Sequence, residues 1–520
     1  MDVFRSAEFT AYVKNLIDQH HVPGLSIAII DGDRTDSAGF GKASLNPSKE
    51  CTADTIFDIA SASKSLTAAS VALLVDDNDK YPLVQYETPM TKLLPEEFVM
   101  SGNDHDEVSL EDILSHRSGM APHDHSYLGP NAAKPDDARS ITMNLRNLMI
   151  AAPNRSEYLY CNMMYTVAAY LVECKSGLTF SDFLQTHLLK PLAMNSTHLQ
   201  PGCAQANGLG DRIATGYFWD DEDGKYVGTH CPDAPEAQGA GRIMSSAKDY
   251  IKWIEAMMKQ KGPITKTIYE GIIKKRISET PPADSDESDS DESEAFPTFY
   301  ASGWEILEYS GYMMVSHDGS EHGFGTTHFF LPELNFGAVV FGNSNGAGDV
   351  AGILKYKMTD WAVHIKESGS ARQLLDSMTA FESSSGTESE SDEHDHDASI
   401  EIENELLEEL GGEGRETTAQ TMPLSAYTGQ YWNEGYRGLK VEVKDGGLFI
   451  DATDRSMGFT LTFKHAFDQT KYIAHITELP DRESSPIKAE FKLEGEQAVE
   501  LGLNLESSLE EYIWFKRTED

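Results

Sequence analysis

Residues 57–69, Phe57-Asp58-Ile59-Ala60-Ser61-Ala62-Ser63-Lys64-Ser65-Leu66-Thr67-Ala68-Ala69, carry the most chemistry per residue in the chain. From Ser61 the stretch predicts a helix, with Leu66, Ala69, Leu73 and Leu74 available for an apolar face. Residues three apart on a helix share a face, so the Ser61 hydroxyl and the Lys64 amine are placed to touch. A serine hydroxyl is a weak nucleophile until a neighbour takes its proton. A lysine does so only where burial or nearby positive charge lowers its pKa toward neutrality. The helix start adds free N–H groups and the positive end of the dipole where an oxyanion would form. Taken alone, S-x-x-K is also the pattern of many ordinary helix starts.

Two further stretches extend the set. Tyr160-Cys161-Asn162 precedes MMYTVAAYLVE, an apolar helical run. A tyrosine there can relay a proton between nucleophile and leaving group, and an asparagine amide can hold both a lysine and a substrate carbonyl. The plain alternative is a core-packed tyrosine followed by a capping asparagine. His317-Asp318-Gly319 closes the strand YMMVSH and is followed by Ser320. Its edge can offer the Ser320 N–H as an oxyanion donor beside that of Ser61, and Gly319 permits close backbone approach. His317 would give a titratable contact to a substrate carboxylate or to Tyr160. The alternative is a strand-end histidine in a turn.

Around these motifs the chain reads as two folded regions. The first opens with a helix near 6–20, the strand LSIAII, an Asp31-Gly32 turn and a second strand from Asp36 to Gly41. It returns to strands late, at WEILEY, YMMVSH, THFFLP and FGAVVFGN, and ends in a helix at 348–366. Strands at both ends of a helical middle predict an antiparallel α/β sheet completed by chain return. From Pro423 the pattern changes to short alternating strands, LKVEVK, LFIDA, TLTFKHAF, KYIAHI, IKAEFKLEG, VELGLNLE and EYIWFKR, the mark of a small antiparallel barrel. The expected organisation is a catalytic domain at 1–370 with an acidic insertion at 283–295, a flexible linker at 371–422, and a barrel at 423–520.

Charge and composition bound the function. The 520 residues are 40% apolar, enough for a sizeable core, and the net charge is −43. That charge argues against nucleic acid or anionic membrane as partners. Seven acids fall within 284–294 and thirteen within 382–413, neither tract holding a base. Both are expected to be solvated and mobile, as tolerated insertions or as partner-binding or phosphorylated tails around Ser288 and Ser389. The chain has no apolar run of membrane-spanning length and no signal-like start, and its five cysteines are scattered. A cytoplasmic, reducing location is therefore the expectation. His123-Asp124-His125 and His394-Asp395-His396-Asp397 are candidate zinc ligands, though the expectation is no metal and no cofactor.

S-x-x-K, Y-x-N about a hundred residues on and H-x-G late in the chain, in that order, resemble the serine β-lactamase and penicillin-binding protein superfamily. The set looks most like the class C branch with its esterases and D-amino-acid peptidases. HVPGLSIAIIDG, SLEDILSHRSGMAPHD, GLTFSDFLQTHLLKPLAMNSTHL and GAGRIMSSAKDYIKWIEAM share the likeness, which covers roughly residues 5–366. It implies an acyl-enzyme route: Ser61 attacks, Lys64 and Tyr160 manage the proton, Asn162 orients, and the Ser61 and Ser320 amides hold the oxyanion. Lactamases of this branch usually carry lysine where His317 stands, so a β-lactam carboxylate should be held less well. LSAYTGQYWNEGYRGLKVEVKDGGLFI looks like the lipocalin-like barrel of some relatives, where a loop can restrict the site. The implied substrate is a small amide, short peptide or ester. Acyl transfer to a biosynthetic acceptor, and a non-catalytic scaffold, are the alternatives.

Overall fold

The computed structural model describes residues 1–102, 105–221, 223–280, 297–321, 323–368, 391–412, 414–479 and 484–518, with backbone alone at 368 and 391–400. Nine antiparallel strands form the main sheet. Their order is Ser48–Glu50, Arg34–Leu45, Gly24–Asp31, Phe336–Gly342, Phe324–Leu331, Tyr312–Glu321, Glu305–Tyr309, Phe299–Tyr300 and Ile277–Ser278. The chain return predicted from the sequence is the pairing of Gly24–Asp31 with Phe336–Gly342, which sets Ile27 opposite Val340.

Period-two alternation sorts the central strands between two cores. Leu25, Ile27 and Ile29 face Phe9 and Val13 of the helix Ala7–Gln19 and Trp361 of the helix Ala347–Ser368. Ala28 and Ile30 face the other way, into a larger core with Leu66, Tyr250 and Trp253. The first helix begins where Ser6 caps it, its hydroxyl accepting from Phe9 N at 3.0 Å. The helix near Ser61 departs from the amphipathic expectation. Ala60–Ser63 is a 3-10 turn, the α-helix runs Lys64–Asp76, and ten of its residues are buried on all sides. A helix wrapped by neighbours has no solvent face to mark with charge.

The barrel is closed by eight strands where the sequence pattern predicts seven. The extra one, Gly429–Asn433, pairs with both Arg437–Lys444 and Ile513–Arg517 and so seals the cylinder. It is short and carries a glycine, a glutamine and an asparagine, so alternation is faint. Part of the expected linker at 371–422 is described, and that part lies folded against the barrel. Ser391–Gly411 is a helix, and Leu406, Leu407 and Leu410 pack on Phe467 and Ile473 outside the barrel. Glu403 pairs with Lys464 and His475, and Glu409 with Lys488. Acidic residues at helical spacing are ordered here because the barrel supplies both cations and an apolar seat. The acidic stretch 284–294, with Ser288, and Ser389 lie outside the described residues, and so does the partner-binding role considered for them.

Candidate active site

Ser61 sits in the turn at the head of the buried helix, directly after Ala60, whose φ is +47°. A left-handed non-glycine residue costs free energy and persists only where the surroundings hold it. Here Tyr250 Oη and Trp253 Nε1 meet Ser65 Oγ at 3.0 and 3.1 Å, and Ser65 Oγ donates to Ala62 O at 2.9 Å. Thr326 Oγ1 donates to Ile59 O at 3.1 Å, pinning the turn to the sheet. Gly319 is needed because a Cβ there would lie 2.7 Å from Ile59 O and 3.1 Å from Ala62 N. The strand end therefore reaches the turn, and Ser61 and Ser320 share the wall of a cavity of about 360 Å3.

Lys64 is 0% exposed. Its Nζ lies 2.9 Å from Ser61 Oγ, 2.7 Å from Asn162 Oδ1 and 2.9 Å from Ala240 O. Burial pushes this amine down to about 7, against the opposing pull of Asp124 and Glu321. Near neutral pH a large fraction is then free base, able to take the Ser61 proton. The Tyr160 ring centroid is 4.8 Å from Lys64 Nζ. Burial raises its phenol well above the ordinary range, and its hydrogen bond with Ser61 works the other way. Asn162 is the first residue of the helix Asn162–Ser176, and its Nδ2 donates to Asp124 Oδ2 at 3.2 Å. The structure thus brings Ser61, Lys64, Tyr160, Asn162, Gly319 and Ser320 to one place.

His317 is the exception. Its imidazole is 2% exposed, with Nε2 at 2.8 Å from Tyr300 Oη and Nδ1 at 2.6 Å from Asp318 O. Burial, then the nearby Lys64, push its pKa down to about 4. The ring is neutral at physiological pH and both nitrogens are engaged, so the expected cationic contact to a substrate carboxylate gives way to a structural role. The strand end is legible from sequence; the burial of the ring and its contact with Tyr300 are not.

His116 is a site neighbour that motif spacing does not single out. Its ring lies 4.1 Å from that of Tyr160, and its Nδ1 accepts from Cys161 N at 3.0 Å. It is held neutral by burial and by Lys64. Asp112, 0% exposed, ties the two loops that carry these rings. It accepts from Arg117 Nε at 2.7 Å and Arg155 Nη2 at 2.7 Å, while Leu159 N donates to His116 O at 2.8 Å. Cys161 is a packed small side chain whose thiol burial pushes up to about 12, so it stays protonated.

The cavity wall also holds Asp124, Arg242, Glu321 and, from the barrel, Ser456 and Met457. Arg242 reaches Asp58 at 3.4 Å and Glu321 at 3.4 Å. The zinc reading of 123–125 fails on geometry. His123 Nε2 is 2.7 Å from Met149 O, and His125 Nε2 is 2.8 Å from Glu478 Oε1 of the barrel. Among the described residues no group of histidine, cysteine and acid side chains has metal-binding geometry. The side chains of 394–397 lie outside the described residues. No helix among the described residues is long and apolar enough to cross a membrane.

Comparison with known proteins agrees with this geometry. The Beta-lactamase family profile matches residues 9–359, and a domain of unknown function, DUF3471, matches 413–517. The chain is 31% identical to the unguisins hydrolase ungD' of Aspergillus campestris, over 99% of this chain and 92% of the relative. It is 25% identical to the beta-lactamase of Escherichia coli over 49% of this chain and 62% of that one. The octameric penicillin-binding protein homologue of Pyrococcus abyssi superposes with a TM-score of 0.58 at 18% identity, covering 99% of this chain and all of the other. The D-amino acid amidase of Ochrobactrum anthropi gives 0.52 at 21% identity, over 64% and 91%. With the profile spanning both the serine–lysine pair and the tyrosine motif, the chain belongs to the β-lactamase family and is a serine hydrolase by kinship.

Proposed function

We propose that this hydrolase cleaves a small amide or short peptide through an acyl-enzyme on Ser61. The observation that carries the reading is the 2.9 Å contact between Ser61 Oγ and a fully buried Lys64 Nζ, beside an open cavity. Ser61 Oγ attacks the carbonyl carbon as its proton passes to Lys64. The oxyanion meets the N–H groups of Ser61 and Ser320. The proton held by Lys64 passes through the Tyr160 hydroxyl to the leaving nitrogen as the C–N bond breaks. Water then attacks the ester, giving a proton to Lys64 that returns to Ser61 Oγ as the carboxylic acid leaves.

The charges of the cavity favour an uncharged or blocked acyl donor over a β-lactam. The Arg242 guanidinium in its wall is paired with Asp58 and Glu321, and Asp124 adds a further carboxylate. A substrate carboxylate therefore finds no unpaired permanent cation among the described lining residues. The relatives named as unguisins hydrolases, at 31% identity, support hydrolysis as the reaction.

The test is acylation of Ser61. The protein is incubated with nitrophenyl esters, D-aminoacyl anilides and a fluorescent penicillin, and the peptide containing Ser61 is weighed. A mass shift absent from Ser61→Ala is expected. Equal, slow turnover by wild type and Ser61→Ala on every substrate would refute the reading.

A further inference from the structure

The His123-Asp124-His125 turn sits between the two domains. Its outer residues face the barrel and its middle residue faces the cavity. His123 adopts φ +51° and is held at both ring nitrogens, by Met149 O and by Tyr436 Oη of the barrel at 2.7 Å each. Tyr436 is itself fixed, its hydroxyl donating to Glu506 Oε1 at 3.1 Å. His125 meets barrel Glu478 at 2.8 Å and lies edge-on to barrel Phe459 at 5.0 Å. Between them, both oxygens of Asp124 accept from Asn162 Nδ2, at 3.2 and 3.3 Å.

The chemistry of an amide makes this contact directional. A carboxylate only accepts, so Asp124 draws the NH2 end of Asn162 and leaves Oδ1 for Lys64. Rotated by half a turn, Asn162 would aim its NH2 at Lys64 and compete for the lone pair that must receive the Ser61 proton. We propose that the barrel is a positioning element of the catalytic centre: Tyr436 and Glu478 hold the 123–125 turn, and Asp124 locks the Asn162 amide in the orientation that keeps Lys64 available as base. The proposal rests on the Ser61–Lys64 reading and adds the reason the barrel is docked where it is.

Charge gives a second readout. The groups facing Lys64 are Asp124, Glu321, Cys161, His116, His317 and the Tyr160 and Tyr165 rings. Asp124 itself is faced by Asn162, His125, Lys64 and Glu321. Of the groups that raise the Lys64 pKa, Asp124 acts most strongly. Removing its charge moves the acidic limb of the rate profile to lower pH.

The experiment uses the full chain and a nitrophenyl ester, reading single-turnover acylation and kcat/KM from pH 5 to 9. Asp124→Ala is expected to slow acylation by about 10²-fold, the scale of a misplaced catalytic group, with KM within about twofold. Asp124→Asn still accepts from Asn162, so it should restore most of that rate while its acidic limb lies below that of wild type. Tyr436→Phe combined with Glu478→Ala, which touches only the barrel, should slow acylation several-fold at unchanged KM. Should alanine at 124 cost the fold, the asparagine and barrel variants carry the test. Wild-type acylation rates and limbs in the 124 and barrel variants, with turnover still lost in Ser61→Ala, would overturn the positioning role and leave the nucleophile standing.

Discussion

Around the cavity, Asp58, Lys64, Asp112 and His116 are withdrawn from water, each held by a specific partner. The barrel interior is instead built from rings: Phe491 packs at 5.0 Å on Tyr427, 5.4 Å on Tyr472 and 6.0 Å on Phe463. The first region spends stability on desolvated charge that chemistry needs. The second returns it through apolar burial and edge-on aromatic contacts. A chain that carries both can hold a strained, electrostatically costly site against a rigid neighbour, and the 123–125 turn is where the two meet.

Four substitutions would sharpen or break that contrast. Lys64→Met should have the largest effect, lowering kcat by roughly 10²- to 10⁴-fold, the range for loss of a general base. It should also stabilise the fold. Lys64 is depressed to about 7 from an ordinary value near 10, so the unfolded chain binds the extra proton between those values and wild-type stability rises with pH there. The advantage of Lys64→Met is therefore full below pH 7 and shrinks by about 1.4 kcal/mol per pH unit above it, readable in urea melts at pH 6 and 9. No gain at pH 6 would contradict an amine whose pKa is lowered by burial.

Phe491→Ala should show the opposite signature, a loss of about 3–5 kcal/mol from cavity formation with little change in the acylation rate of folded protein. Urea melts beside active-site titration would check it. Smaller is Thr326→Val, which removes the hydroxyl that meets Ile59 O and should cost about 1 kcal/mol. Because that bond pins the Ser61 turn, kcat should drop more than KM shifts. The least effect is expected on the pH profile of His317→Gln. Since His317 is neutral above about 4, kcat/KM should rise with pH through a midpoint near 7 set by Lys64, with and without the imidazole. A limb that falls through the histidine range and vanishes in His317→Gln would restore the cationic role drawn from sequence.

The Ser61–Lys64 pair was readable because three residues along one turn are neighbours under any tertiary arrangement. Yet the reading of an amphipathic helix there missed its burial, since apolarity on every face comes from elements far away in the chain. Seven barrel strands were visible through alternation, while Gly429–Asn433 was not, being defined by what it closes. The histidines at 123 and 125 look alike in sequence. In space their rings diverge to Tyr436 and Glu478, and no spacing rule encodes which way a ring turns.

Local geometry and side-chain chemistry were thus enough to mark two folded regions and to offer an alcohol, an amine and a remote phenol as candidates, because periodicity and hydrogen-bonding capacity belong to the residues themselves. The resemblance of the ordered motifs to a known family is what joined the three. Which groups would be stripped of water was settled by packing. Lys64 is lowered by the elements that enclose it, His317 is held neutral by burial beside Lys64, and Glu403 and Glu409 are paired with cations on the barrel. Dielectric environment is a property of everything that surrounds an atom, and those surroundings come from parts of the chain that only folding brings together.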